Sequence, residues 1–446
     1  MCIQSITKKR YLQIDTYIYS HLANIENKNR NFVKSKDYHK EALTTALSIE
    51  GFDSQKICSF YSSLAGDYKV LLNDYKSAFK YYKAGSEYAE KHGHLFYAKK
   101  MLSELAWCCY KLGEDFYESG LEYAKRSLTL NPSDSDATSA KKIDVETYKT
   151  IAQIELFGRR NYLSAAEYYE KAATLAESSA SFKPSYLMEL YNSIATCYSS
   201  YGSLLLTDSR EYSVGVSYVK KGLLYCKLGL NHYDEKSTDL IILMNAKQTF
   251  QTVLTCYSSL GADYYEEAFQ YAKKSLNVQL PPLESYSSYV DRKFYPQLIP
   301  IFLKIDLLTY RIMAITERTR GNHIAEKEYL EAALSVAEKM DSYTTTDLYD
   351  SLAGSYLDLG LYDKAVYYYE EKVLKDSRLD EESKFCAYQG LALSYQCLGN
   401  KEKRDYYSKK AEEKAKELYG ESNPEVYAIQ AERFLSSGEY EKAEPY

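Results

Sequence analysis

The feature that most constrains the fold is a repeat of fixed length in the last part of the chain. Tyr349, Tyr388 and Tyr427 follow one another at a step of 39 residues, and the same step links Ala353 to Ala392. A constant period of this size is typical of proteins built from stacked structural units. We therefore expect a repeat array instead of a single globular core.

Each copy of the repeat has the pattern of two helices. Apolar residues at Tyr349, Leu352, Ala353 and Tyr356 have the spacing of one helix face. Gly360 follows, and glycine is suited to the left-handed backbone at a helix end. A second stripe occupies Tyr362, Ala365, Tyr369 and Val373. The pattern predicts a helix hairpin in which the two alanines allow the helices to approach closely.

Less regular copies occur upstream. They include LAWCCYKLG at 105–113, IATCYSSYG at 194–202 and VLTCYSSLG at 253–261. Two insertions interrupt them, one at 203–212 inside a hairpin and one at 280–300 between hairpins. The second insertion holds four of the eight prolines, so we expect it not to form a plain helix. We thus expect an irregular array at 1–279, an insertion at 280–300 and a regular array at 301–446.

These positions resemble those of the tetratricopeptide repeat, a helix–turn–helix unit of about 34 residues. The segment KELYGESNPEVY at 416–427 is similar to the connection in kinesin-light-chain-type repeats, with Asn423 as N-cap and Pro424 as first helical residue. The resemblance implies an all-α fold, a right-handed superhelical solenoid of nine or ten antiparallel helix hairpins. It also implies a concave groove lined by the first helix of each hairpin.

Composition and motifs argue against several functions. The net charge is −6 without a basic block, so we expect no nucleic-acid partner. We expect a cytoplasmic protein without a membrane partner, because no apolar run approaches a membrane span and the N-terminus lacks a secretion signal. The nine cysteines are dispersed, which indicates reduced thiols. His92 and His94 have no third ligand nearby in sequence.

No catalytic motif was found, so we expect no enzyme, no cofactor and no metal. The stretch CYSSLG at 256–261 raises the question of a reactive cysteine, but CYSSYG at 197–202 is almost identical. An element that recurs in this way is structural. We expect its tyrosine to pack between repeats and its glycine to end a helix.

In the family that the chain resembles, the second, fifth, ninth, twelfth and thirteenth repeat positions face the groove. The candidate binding residues are Lys100, Ser103, Trp107, Asn192, Thr196, Ser199, Gln248, Gln251 and Thr255. Their mostly neutral hydrogen-bonding groups suit the main chain of an extended peptide; the alternative is that they are solvated surface positions. Trp107 is either an anchor for a ligand or a packed core residue. Asp347, Asp350 and Asp358 give the regular half an acidic groove that favours a basic ligand or none.

Two functions fit this pattern. The chain is expected to be a scaffold or adaptor that binds a peptide or helix of a partner protein in its groove. Alternatively, it is the sensing array of a longer signalling protein whose effector, such as a caspase-like protease, lies outside this chain. The segment GEYEKAEPY at 438–446 resembles an unfinished second helix and bears on that choice. The sequence leaves the oligomeric state open.

Overall fold

The computed structural model describes residues 2–29, 31–133, 136–340, 345–421 and 423–437. Across these ranges every regular element is a helix, which confirms the predicted all-α class. The segment 438–446, whose sequence resembles an unfinished second helix, lies outside the described residues. None of the described helices is both long enough and apolar enough to cross a bilayer.

The chain divides into two compact units, Met1–Tyr233 and Asp234–Tyr446, called unit 1 and unit 2 below. The helices of unit 1 are α1 Cys2–Lys28, α2 Phe32–Ser48, α3 Ser54–Gly66, α4 Tyr75–Lys91, α5 Leu95–Leu112, α6 Tyr117–Thr129, α7 Ala137–Gln153, α8 Tyr162–Glu177, α9 Pro184–Leu205 and α10 Tyr212–Leu230. Two π-helical segments, Asp67–Leu71 and Ile154–Gly158, extend α3 and α7.

The helices of unit 2 are α11 Leu240–Leu260, α12 Tyr265–Asn277, α13 Tyr289–Thr319, α14 His323–Ala337, α15 Thr346–Asp358, α16 Tyr362–Tyr368, α17 Glu381–Cys397, α18 Lys401–Tyr419 and α19 Pro424–Ser437. A π-helical segment, Tyr369–Val373, continues α16. Helices adjacent in sequence pack on each other within each unit. The described residues thus form nine successive pairs followed by α19, in agreement with the expected nine or ten hairpins. The division predicted at 280–300 stays a prediction.

The pair α9 and α10 shows how closely two helices approach. A Cβ atom on Gly215 would lie 2.8 Å from the carbonyl oxygen of Gly202, and one on Gly222 would lie 3.0 Å from that of Ala195. Residues further along α10 therefore contact residues earlier in α9, so the two helices are antiparallel. The expectation that Gly202 ends its helix is wrong, because α9 continues to Leu205. Gly202 is needed at the helix crossing, where a side chain would collide with α10.

Other glycines do end helices as predicted. Gly360 and Gly399 have φ values of 71° and 72°, and Gly261 has a φ of 89° at the end of α11. In the same CYSSLG stretch, Cys256 and Tyr257 are buried. The helix-ending role of the glycine is confirmed for the copy that ends at Gly261, whereas Tyr257 makes ring contacts with Tyr264 and Tyr271 of its own pair.

The prolines of the 280–300 segment do not prevent a helix. The first part of α13 contains Pro296 and Pro300. Both prolines are exposed and four residues apart, so they lie on one face of the helix. The carbonyls that lose a hydrogen-bond donor there can bond to water instead. The expectation of a non-helical insertion is therefore wrong for its second half.

Tyrosines fill the contacts between successive pairs, and their hydroxyls donate hydrogen bonds to half-buried carboxylates. Glu370 on the second helix of one pair accepts hydrogen bonds from Tyr395 at 2.8 Å and Tyr407 at 2.9 Å, both in the next pair. Glu170 accepts one in the same way from Tyr198 in unit 1. The rings of Tyr395 and Tyr407 stack at an interplanar angle of 2°. The recurring arrangement gives the abundant tyrosines a packing role, as the sequence predicts.

Candidate functional site

The sequence-predicted binding residues all lie on first helices of pairs, but in both units. In unit 1, α5 carries Lys100, Ser103 and Trp107, and α9 carries Asn192, Thr196 and Ser199; in unit 2, α11 carries Gln248, Gln251 and Thr255. Ser103 and Ser199 are buried, whereas the other members are half-buried or exposed. The structure therefore separates the set into surfaces on two units, and its role in binding remains a prediction.

The hydroxyl groups in this set already have hydrogen-bond partners. Thr196 Oγ1 donates to the carbonyl oxygen of Asn192 at 2.8 Å, and Thr255 Oγ1 donates to that of Gln251 at 3.0 Å. Ser103 Oγ accepts a hydrogen bond of 2.7 Å from Thr147. A ligand would find acceptor lone pairs at Thr196 and Thr255, whose single hydroxyl protons are engaged within their own helix.

The Trp107 side chain is not fully buried, and its ring is already in contact with neighbouring side chains. Its ring is half-buried and meets Tyr75 edge-on with ring centroids 5.4 Å apart. The ammonium groups of Lys69 and Lys111 lie 4.9 Å and 5.3 Å from its centroid, within cation–π range. Lys69 also forms an ion pair with Glu104. These contacts hold the indole in place at the surface of α5.

A cleft of about 360 Å³ opens in unit 2, and we call it the α15–α17 cleft. It is bounded by residues from the end of α13, from α15, from Tyr369 in the π-helical segment and from α17, α18 and α19. Its lining comprises Arg318, Gly354, Leu357, Asp358, Tyr369, Cys386, Gln389, Gly390, Ala392, Leu393, Gln396, Ser408, Ala411, Ile429 and Arg433. The volume falls in the range of small-molecule and side-chain binding sites.

One face of α17 forms a wall of this cleft. Cys386, Gln389, Leu393 and Gln396 follow one another at helical spacing and are all exposed. Tyr198 and Tyr395 occupy the same position in their repeats. Measured from Tyr395, these four residues stand at the groove-facing positions, just as Asn192 and Thr196 do when measured from Tyr198. The rule that selected residues in the irregular half therefore also selects this wall. The predicted site residues include only the acidic residues of α15 in this half of the chain and none on α17.

The bottom of the cleft depends on small residues. A Cβ atom on Gly390 would lie 2.5 Å from Cζ of Tyr369, so a side chain there would displace the tyrosine ring. A Cβ atom on Gly354 would lie 3.9 Å from Nη2 of Arg318. The contact at Gly354 is an ordinary van der Waals distance, so of these two glycines only Gly390, on α17, is required to be small.

The charges around the cleft are mixed. Arg318 and Arg433 line it together with the carboxylate of Asp358. Burial raises the pKa of the nearby Asp350 carboxyl and the charge of Asp347 adds to the rise, while Arg318 opposes it. Arg433 Nε lies 2.8 Å from Oε2 of Glu412. The cleft is therefore not the uniformly acidic surface that the aspartates alone suggest.

The cleft residues are suited to binding. Gln389 and Gln396 each offer donors and an acceptor, and the exposed Leu393 offers apolar surface. Although Cys386 as a whole is exposed, partial desolvation of its thiol raises the thiol pKa, and nearby carboxylates including Asp350 raise it further. A thiol with a raised pKa stays protonated near neutral pH and is a poor nucleophile. The arrangement provides hydrogen bonds, apolar contact and two guanidinium groups.

No family model matches the sequence, and no curated protein matches it either. Several solved structures are similar. The apo form of the quorum sensor NprR from B. thuringiensis is 16% identical, covers 95% of this chain and 97% of its own, and has a TM-score of 0.41. BtubC from P. vanneervenii is 16% identical over 52% of this chain and 90% of its own, with a TM-score of 0.39.

A third solved structure is a signal transduction ATPase with a tetratricopeptide repeat sensor from Pyrococcus horikoshii. It is 14% identical, covers 90% of this chain and 55% of its own, and has a TM-score of 0.41. The class of the present chain follows from its own architecture of successive helix pairs with repeated glycine and tyrosine positions. The chain is a tetratricopeptide-like helical repeat protein.

Proposed function

We propose that the chain is a non-catalytic interaction scaffold that binds a peptide or helix of a partner protein on the first helices of its pairs. We place the principal contact in the α15–α17 cleft. The observation that carries this proposal is the exposed stripe of Cys386, Gln389, Leu393 and Gln396 along one wall of the cleft. An exposed row of this kind is what a helical repeat protein offers to an extended ligand.

The chemistry of the cleft selects the class of ligand. The side-chain amides of Gln389 and Gln396 can pair with both the N–H and the C=O groups of a peptide main chain. Leu357, Leu393 and Ile429 provide apolar surface for one side chain of the ligand. Two arginines and one aspartate line the cleft, so a strongly basic segment is disfavoured. We propose a largely neutral peptide with an apolar anchor.

The surfaces of α5 and α9 in unit 1 and the surface of α11 in unit 2 are further candidate binding places. Asn192 and Gln251 carry amide groups there, and both side chains are half-buried. This proposal keeps the expectation drawn from the sequence. The alternative, a sensing array of a longer signalling protein, uses the same binding surfaces and differs in having its effector outside this chain.

Selection from a display library of random peptides would test the function. Peptides that bind the wild-type chain are measured against the double variant Gln389→Ala/Gln396→Ala and against a control, Lys401→Ala/Glu402→Ala, exposed at the start of α18. Binding through the cleft predicts loss with the first variant alone. The proposal fails if binders tolerate the cleft variant, or if no peptide binds more tightly than it binds an unrelated helical protein.

A further inference from the structure

Three side chains with metal-binding atoms meet where α14 begins and α15 ends. His323 Nδ1 lies 3.0 Å from Oε2 of Glu326 and 3.5 Å from Oδ2 of Asp358. The three potential ligand atoms all lie within 4.8 Å of one another. His323 and Glu326 belong to one helix turn, whereas Asp358 belongs to the next pair, so the fold creates the cluster.

The local structure fixes the position of this cluster. The side chain of Asn322 accepts a hydrogen bond from the backbone N–H of Ala325, which caps α14 directly before His323. Ser355 Oγ donates to the carbonyl oxygen of His323 and thereby joins α15 to the start of α14. Glu326 is 2% exposed, so its carboxylate points into the protein toward the histidine.

The distances suit a divalent cation. Ligand atoms bound at about 2.0 to 2.2 Å to a tetrahedral zinc ion lie roughly 3.3 Å from one another. The spacings of 3.0 and 3.5 Å from His323 are close to that value. One imidazole nitrogen with two carboxylate oxygens is the ligand type that zinc and similar transition metals accept, with water completing the coordination.

We propose that His323, Glu326 and Asp358 form a binding site for a divalent metal ion of the zinc type. The sequence has no metal-binding motif and predicts no metal, and His323 and Asp358 lie 35 residues apart along the chain. The proposal does not depend on the proposed peptide-binding function. In the described structure Nδ1 is placed to donate its proton to Glu326, so metal binding replaces that proton, which leaves to solvent.

The positively charged side chain of Arg318 lies next to the proposed metal site. Arg318 Nε lies 3.7 Å from Oε1 of Glu326, and the arginine side chain is 54% exposed. A metal ion bound to Glu326 would be repelled by this guanidinium. The partial positive charge at the start of α14 acts in the same direction. The two carboxylates outweigh these effects, and the exposed arginine can turn away. Arg318 should therefore weaken the binding of metal without preventing it.

Binding of zinc and of cobalt as its spectroscopic substitute tests the proposal. The full chain is treated with a chelator, and Zn²⁺ binding is measured by calorimetry while Co²⁺ reports coordination by visible absorption. His323→Ala should weaken Zn²⁺ binding by about 100-fold and remove the Co²⁺ spectrum. His21→Ala, which changes an exposed histidine on α1, should leave both unchanged. Asp358→Asn provides a second ligand variant if His323→Ala fails to fold.

Arg318→Gln distinguishes this site from adventitious surface binding. Removal of the competing cation should tighten Zn²⁺ binding by about tenfold, which corresponds to the loss of a modest charge repulsion. Adventitious binding elsewhere would not respond to Arg318. The proposal is overturned if His323→Ala and Asp358→Asn bind Zn²⁺ as the wild type does, or if Arg318→Gln leaves the affinity unchanged.

Discussion

Lys247 and Asp306 form an ion pair in the interior of unit 2, with Nζ 2.5 Å from Oδ1 and the lysine side chain fully buried. The same ammonium donates to the carbonyl oxygens of Ser275 at 2.7 Å and Val278 at 3.2 Å, at the end of α12. Lys99 makes equivalent contacts in unit 1, with α6 and Asp144. In each unit a buried lysine joins the end of one helix pair to the first helix of the next.

Replacement of this lysine should destabilise unit 2 strongly. Lys247→Met leaves the carboxylate of Asp306 and two helix-end carbonyls without their cation, and such a loss costs about 3 to 5 kcal/mol. Urea unfolding measures the change in the free energy of unfolding. Lys293→Met replaces an exposed lysine on α13 and should change stability little. If both substitutions changed the free energy of unfolding by the same small amount, the buried ion pair would have no structural role.

Ala353→Leu should destabilise by overpacking. Ala353 is fully buried in the hydrophobic core formed by α15 and its neighbours. Added methylene groups in a packed core force side chains or helices to move, at a cost of about 1 to 3 kcal/mol. Chemical unfolding is again the measurement, with Ala428→Leu at an exposed position of α19 as control. A tolerated leucine at 353 would show that the helices are not in close contact there.

The carboxylate of Glu170 should make stability depend on pH. Burial raises its pKa, but hydrogen bonds from Tyr225 and Tyr198 and the charge of Lys221 outweigh burial, and the net pKa is lowered. A carboxyl with a lowered folded pKa contributes stability above its unfolded pKa of about 4.3, and that contribution is lost as pH falls through the folded pKa.

Glu170→Gln should therefore cost about 1 kcal/mol near neutral pH, an amount reduced by partial exposure to solvent. The difference from wild type should shrink as pH falls below about 4.3. Unfolding curves recorded at several pH values measure it. A difference that grows on acidification would mean that the carboxylate is not stabilised by its tyrosine partners.

Cys256→Ser should leave folding and binding nearly intact. The thiol is fully buried in α11, but a helical serine can donate to the carbonyl oxygen four residues earlier, which limits the cost of burying the hydroxyl. Thermal unfolding and peptide binding are the two measurements. Loss of binding without loss of stability would give the thiol a functional role that its structural surroundings do not indicate.

The sequence predicts the structure correctly where one residue's local conformation decides it. Many helices end at a residue with positive φ, which glycine tolerates, so Gly360 and Gly399 could be recognised from their repeated positions. Gly202 occupies a similar position but serves a helix crossing, which depends on the neighbouring helix α10 and not on its own sequence. Pro296 and Pro300 are compatible with α13 because their exposed face meets water.

Contacts between residues that are distant in sequence could not be predicted from the sequence. A lysine is ordinarily exposed, so nothing local indicates that Lys247 is buried against Asp306. The meeting of His323 with Asp358 likewise depends on the packing of α14 against α15. The cleft wall on α17 could have been found, because the repeat rule applies to Gln389 and Gln396 as it does to Asn192.

The most direct test of the central claim compares two double variants against one peptide selected on the wild-type chain. Gln389→Ala/Gln396→Ala removes the amides of the α15–α17 cleft, and Asn192→Ala/Gln251→Ala removes those of α9 and α11. Loss of one hydrogen bond costs about 0.5 to 1.5 kcal/mol, so loss of both cleft amides should weaken binding by roughly 1 to 3 kcal/mol. Added salt should matter little, since few charges take part.

Calorimetric titration of the four proteins, wild type, the two double variants and Lys401→Ala/Glu402→Ala, measures these affinities together, and their thermal unfolding verifies that each is folded. The account predicts that the cleft variant loses affinity while the exposed α18 control binds as the wild type does. Retained affinity in the cleft variant would contradict it, and a loss confined to Asn192→Ala/Gln251→Ala would place the ligand on α9 of unit 1 or on α11 of unit 2 instead.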